Sequence, residues 1–216
     1  MGKRRLEDAL QQIDHSVEVT YRCFELDPTM EKNTNYNMYE KLAAKYGMSI
    51  EQAKANCRNL EQTAKSVGLD FHFETMILTN TFDAHRLVMY AKQQGLMKPM
   101  TERLLRAYYT ESKHIGDHRV LSQLAEEVGL NREAAAAMLA STSQGDAVRA
   151  DEKEAEEYGI RSIPFFLINK KYAITGAQPT ETFVEALRQI HEQDGPFTLT
   201  GEEGPSCDEN GCEIPK

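Results

Sequence analysis

Apolar residues recur at helical spacing at the start of the chain, with Leu6, Ala9, Leu10, Ile13 and Val17 on one stripe, which predicts an amphipathic helix resting on a sheet. The period then changes to two through Val17-Glu18-Val19-Thr20-Tyr21-Arg22-Cys23-Phe24, a run rich in β-branched and aromatic residues that predicts a strand. Asp27-Pro28 ends it, because the residue before a proline is pushed out of the helical region. From about 37 to 158 nearly every stretch is helical in pattern. Ser49-Ile50-Glu51-Gln52 is a capping box for a helix that turns Ala53, Cys57, Leu60, Ala64 and Val67 inward and stops at Gly68. Asn80 is placed as the cap of the next helix, with Leu87, Val88 and Ala91 inward and Gly95 as its stop. Pro99 opens another, with Leu104, Leu105 and Tyr108 inward, and Asp117 and Asn131 cap two more. The last, from about Gln144 to Tyr158, has a heavily acidic outer face. Five or six short helices packed as a lobe are expected.

After Gly159 the pattern returns to strands: Phe165 to Ile168, a tight turn at Asn169-Lys170, and Lys171 to Thr175 as the antiparallel partner. Pro164 has no N–H to give a ladder, so it suits only the first position or an edge. Thr180 is placed as the cap of a final helix bearing Phe183, Val184, Leu187 and Ile190 on one face. Strands on both sides of a helical run predict an α/β domain carrying an insertion. The expected division is residues 1–36 with 159–195 as one domain, 37–158 as the helical insertion, and 196–216 as an acidic tail.

Composition narrows the function classes. The 216 residues, 40% hydrophobic, suffice for a substantial core without staples. A formal charge of −9, from 34 acidic against 25 basic residues, with no basic stripe, argues against a nucleic-acid partner. No apolar run approaches the roughly 20 residues that span a bilayer, and no secretory h-region is present, so the expectation is a cytoplasmic protein without a membrane partner.

Gly2-Lys3-Arg4-Arg5-Leu6-Glu7, Phe24-Glu25-Leu26-Asp27-Pro28, Asn80-Thr81-Phe82-Asp83-Ala84-His85-Arg86-Leu87, Ile115-Gly116-Asp117-His118 and the run from Gly159 to Pro179 stand in an order that resembles the DsbA-like thiol-disulfide oxidoreductases, closest to their FrnE-type branch. The resemblance implies an α/β, thioredoxin-like fold interrupted by a large all-helical insertion, and a disulfide oxidoreductase or isomerase acting on a disulfide-containing protein or a small thiol. It implies no tightly bound cofactor, names glutathione as a redox partner, and allows a homodimer. It also implies that the Ile163–Pro164 bond is cis, with Ile163 offering its backbone to an extended substrate. Relatives carry a first strand and a Cys-x-x-Cys pair just before the segment matching Gly2 to Arg5, where this chain has Met1. The first strand and primary dithiol are therefore expected upstream of Met1, the alternative being a redox-inactive relative in which another segment fills the gap.

Four cysteines remain, at 23, 57, 207 and 212. Cys23, within a strand, and Cys57, on an apolar helical stripe, read as small buried hydrophobes rather than reactive thiols. Cys207-Asp208-Glu209-Asn210-Gly211-Cys212 places an Asn-Gly turn between two thiols, a spacing that closes a small disulfide loop. By resemblance, Cys207 and Cys212 form an auxiliary catalytic pair. The residues alone equally allow a structural disulfide, a weak metal site or two exposed thiols, and the neighbouring acids disfavour thiolate formation. Asn80 and Arg86, with His85, match a block near the active face of relatives that include glutathione-using kappa-class transferases and chromene-carboxylate isomerases. A helix N-terminus beside Arg86 suits a glutathione carboxylate. The plainer reading makes Asn80 a cap and puts His85 and Arg86 on a solvated face. His114 and His118 are spaced like ligands, yet Gly116 and Asp117 break the helix between them, so no metal is assigned. Three functions stand: thiol-disulfide exchange, a glutathione-dependent isomerase or transferase, and a redox-inactive peptide-binding or chaperone-like relative.

Overall fold

The computed structural model describes residues 1–195 together with the backbone of Cys207–Asp208 and Gly211–Cys212. Helix α1 (Gly2–Leu10) is followed by an extended segment and then by seven helices: α2 (Met38–Tyr46), α3 (Ile50–Lys65), α4 (Phe82–Lys92), α5 (Met97–Tyr109), α6 (His118–Glu127), α7 (Arg132–Ala140) and α8 (Gly145–Glu157). The hairpin β1 (Phe165–Ile168) and β2 (Tyr172–Thr175) follows, and α9 (Thr180–Asp194) closes the described body. Strands β3 (Cys207–Asp208) and β4 (Gly211–Cys212) pair antiparallel with Cys207 opposite Cys212.

Local chemistry explains most boundaries. The Asn37 side chain accepts from Glu40 N at 3.0 Å while the Glu40 carboxylate accepts from Asn37 N at 2.8 Å, and α2 stops at Gly47 with φ 63°. Ser49 and Gln52 close the same reciprocal box on α3. Asp117 accepts from Arg119 N and Val120 N, and Asn131 from Ala134 N, so both predicted caps hold α6 and α7. The α4 and α9 starts differ by one residue from expectation: Thr81 and Pro179 occupy the cap positions, and neither Asn80 nor Thr180 does. Seven helices lie between 37 and 158 rather than five or six, because the Asn37-x-x-Glu40 box opens a further one.

The largest core surrounds α4, where Leu87 is fully buried against Met100, Leu104, Leu121, Leu124 and Leu139 from α5, α6 and α7. Leu105 and Leu60, expected inward, are each 41% exposed, at the rims of their apolar stripes. A second core joins α1 to α9 and the hairpin: Ala9, Phe183 and Val184 pack with Leu6, Ile13, Phe166 and Ile174. Phe166 meets Phe183 edge to face at 4.7 Å.

The predicted strand at 17–24 is extended but joins no ladder among the described residues. Carboxylates of α8 stand in for a neighbouring strand: Cys23 N donates to Asp151 at 2.8 Å and Glu25 N to Glu152 at 3.3 Å. These two N–H groups, two residues apart, lie on one edge of an extended chain. Period-two patterning reports a half-buried extended chain, whereas a strand also needs a hydrogen-bonding neighbour.

Candidate functional site

Gly159 (φ 68°) ends α8 and turns the chain toward β1. The Ile163–Pro164 peptide bond is cis, Ile163 is 47% exposed, and Pro164 O accepts from Gly176 N at 2.8 Å, which closes the open end of the hairpin. The start of α1 rests on this turn. Gly2 is buried so tightly that a Cβ there would lie 2.8 Å from Pro164 Cγ and 3.2 Å from Phe166 Cζ. One turn on, the Arg5 guanidinium donates to Ala177 O. The result is an exposed isoleucine backed by a fixed proline, beside a strand edge that pairs with no further strand among the described residues.

Asn80 is engaged elsewhere. Its Oδ1 accepts from Phe82 N at 2.9 Å, and its Nδ2 donates to Glu25 Oε1 at 3.2 Å and to Pro28 O at 3.3 Å. It thereby ties the Phe24-to-Pro28 segment to the start of α4.

Arg86 corrects both sequence readings, for it is neither a ligand for an anion nor a solvated side chain. It is 4% exposed, and its five N–H groups meet five acceptors: Nε donates to Ser143 O, Nη1 to Asp83 and Leu139 O, and Nη2 to Met138 O and Ser141 O. Four of these are carbonyls at and just beyond the C-terminal end of α7, so the guanidinium caps that helix from inside the protein. It keeps no donor for a substrate.

Asp83, which sequence reasoning left unassigned, completes the arrangement. Its Oδ1 accepts from Arg86, and its Oδ2 accepts from Lys32 at 2.5 Å and from His118 Nε2 at 2.7 Å. Burial alone pushes this carboxyl upward, but the bonds from Lys32, His118 and Arg86 outweigh it and hold its pKa at about 2. A depressed carboxyl stabilises the fold above its unfolded value and loses that contribution as pH falls through its folded value. Roughly 2 kcal/mol should therefore disappear between about pH 4 and pH 2. Urea unfolding across that range checks this: Asp83→Asn should flatten the acid limb, and an unchanged limb contradicts the assignment.

The other singled-out residues have plain positions. Burial lowers the pKa of His85, favouring the neutral ring. His114 Nε2 meets Asn33 Oδ1 at 3.2 Å, separate from the His118–Asp83 contact. Among the described residues no cluster of three or more His, Cys, Asp or Glu is arranged to hold a metal. Burial raises both described thiols, Cys23 to about 12 with Asp151 adding to the rise, and Cys57 more modestly. Neither is suited to attack. The side chains of Cys207 and Cys212 lie outside the described residues. A cluster that sequence reasoning missed is Glu25–Arg149–Glu152, in which one guanidinium Nη1 serves both carboxylates, at 2.7 and 2.5 Å. Its signal was a glutamate in strand phase with buried Cys23.

No helix among the described residues is long and apolar enough to cross a membrane. Comparison with known proteins agrees with the fold. A crystal structure of a probable DsbA oxidoreductase from Streptomyces coelicolor superposes with a TM-score of 0.85 at 36% identity, covering 100% of this chain and 93% of that one. A 2-hydroxychromene-2-carboxylate isomerase shares the fold at 15% identity, with a TM-score of 0.67 over 89% of this chain and 90% of its own. The uncharacterized protein YwbO of Bacillus subtilis (strain 168) is 27% identical over 199 residues, 87% of this chain and 88% of that protein. The family model for the DSBA-like thioredoxin domain matches residues 1–188, and the chain accordingly belongs to that family.

Proposed function

We propose that the protein is a thiol-disulfide oxidoreductase of the FrnE-type branch that holds an extended disulfide substrate against Ile163–Pro164, and that within this chain Cys207 and Cys212 carry the exchange. The observation that supports it is Ile163, 47% exposed next to Pro164, on whose ring α1 is seated through Gly2. An exposed strand edge with free backbone groups recognises an extended peptide by β-augmentation. Cys23 and Cys57 are buried with raised pKa values, which leaves the tail pair as this chain's exchanging thiols. The thiolate fraction of the reduced pair, kept small by the neighbouring Asp208, Glu209 and Glu213, attacks the substrate disulfide and releases one substrate thiolate. The second cysteine then resolves the mixed disulfide, ending as Cys207–Cys212 disulfide with the substrate reduced; reduced glutathione restores the dithiol. The reading of the protein as a glutathione-dependent transferase loses its anchor, because Arg86 is consumed inside the fold.

Turnover of a fluorogenic glutathione disulfide by the full chain tests the proposal. Cys207→Ser with Cys212→Ser should abolish it, and Ile163→Pro, which removes a backbone donor, should weaken use of a disulfide-bonded peptide. Full turnover by the double-serine chain would refute the role of the pair.

A further inference from the structure

Glu25 is buried, its side chain 1% exposed, and nothing in the proposed exchange uses it. Its Oε2 accepts from Arg149 Nη1 at 2.7 Å and its Oε1 from Asn80 at 3.2 Å. Glu152 Oε2 accepts from the same Arg149 nitrogen at 2.5 Å, while its Oε1 takes the Glu25 N–H at 3.3 Å. The two carboxylates thus converge on one guanidinium nitrogen. Other charged groups crowd the same place: Asp151 on α8, which accepts from Arg22 and Cys23 N; Glu154, 3.4 Å from Arg22; and His85 on α4, which lies in the field of Glu152 and Asp151. Arg149 is itself stacked 4.2 Å over the Phe82 ring, so it cannot follow one carboxylate without leaving the other.

We infer that Glu25 and Glu152 share one proton across Arg149 and that this proton latches residues 22–28 to α8. With one carboxyl neutral, the remaining negative charge is matched by Arg149 and the cluster holds together as a unit. With both ionised, two negative charges face one guanidinium at the buried end of the segment, beside Asp151, and the hold on the segment weakens. Burial pushes the Glu25 pKa upward; Arg149 opposes this and the charge of Glu152 adds to it, leaving a net rise. A carboxyl raised by folding stabilises the native state at low pH and loses that contribution as pH climbs through its folded value, so the latch opens on the alkaline side of the ordinary glutamate range.

The latch controls more than its own contacts. Leu26, 60% exposed, and Asp27 line an open groove of about 720 Å³ with Tyr36, Lys41 and Ala44. Asp27 is salt-bridged to Lys41 of α2, and Asn80 holds Pro28 O. Losing the proton therefore loosens the inner end of this groove wall, while its Asp27 and Pro28 contacts remain.

Carbon-detected NMR of the glutamate carboxyl groups in the full chain, followed over pH, reads the proton directly. One resonance should titrate above free glutamate and vanish in Glu25→Gln. Hydrogen exchange of residues 22–28, corrected for its intrinsic pH dependence, should lose protection over the same midpoint in the natural chain and keep it in Glu25→Gln. If that variant does not fold, Glu152→Gln should bring the Glu25 midpoint down toward the free value. A Glu25 resonance titrating at the ordinary value, protection that ignores the midpoint, or a midpoint unmoved in Glu152→Gln each overturns the inference. None of these measurements depends on the redox reading.

Discussion

Arg86→Ala should lose roughly 3–5 kcal/mol of stability, the scale for removing one partner of a buried ion pair. The substitution takes a donor from Leu139 O, Ser141 O and Ser143 O, while Met138 O keeps those of Ser141 N and Oγ, and it leaves the buried Asp83 short of a neutralising partner. A cavity forms beside Met138 as well, a member of the core around α4. Arg86→Lys should recover only a small part of the loss, since one ammonium cannot reproduce five fixed donors. Denaturant midpoints measure both variants. A well-folded Arg86→Ala protein with near-native midpoint, defective only in binding an anionic substrate, would return Arg86 to the ligand role that its sequence context suggests.

Gly2→Ala carries the second large effect, and its sign is diagnostic. Alanine favours a helix over glycine by up to about 1 kcal/mol, so at an open position the change stabilises. At Gly2 the new methyl meets the Pro164 ring at 2.8 Å, and a closed saturated ring has no rotamer into which to retreat. Overpacking of this kind costs about 1–3 kcal/mol, enough to reverse the helical gain. The first turn of α1 and the Ile163–Pro164 turn should then separate, with displaced NMR shifts at Ile163 and Phe166 and weaker binding of an extended peptide. Net stabilisation by alanine would mean that the contact between α1 and Pro164 is loose.

The candidate site was legible in part for identifiable reasons. Pro164 announced itself because a proline opening an apolar run has few permitted positions. The caps at Ser49, Asp117 and Asn131 were legible because each satisfies an N–H within three residues. Asn80 was half legible: its side chain does accept a nearby N–H, from Phe82, but from one position ahead of the cap, and it also reaches Glu25, 55 positions away. Arg86 was misread because an arginine on a helix is ordinarily solvated, and its acceptors at 138–143 come from another element. Glu25 offered only an acid in strand phase.

The amino-acid sequence by itself determined what depends on neighbours a few residues apart. That includes most of the helices with the caps at Ser49, Asp117 and Asn131, the hairpin with its turn, and the apolar faces that had to meet. It also carried the ordered blocks by which the family is recognised. The tertiary structure alone decided whether a charge is free or consumed, and whether an extended segment has a partner. Arg86 became a buried cap, Asp83 a strong acid, Glu25 one of a carboxyl pair, and residues 17–24 an extended run bonded to a helix. Each outcome turns on the desolvation of a polar group and on a partner supplied from a distant part of the chain, and no local pattern encodes either.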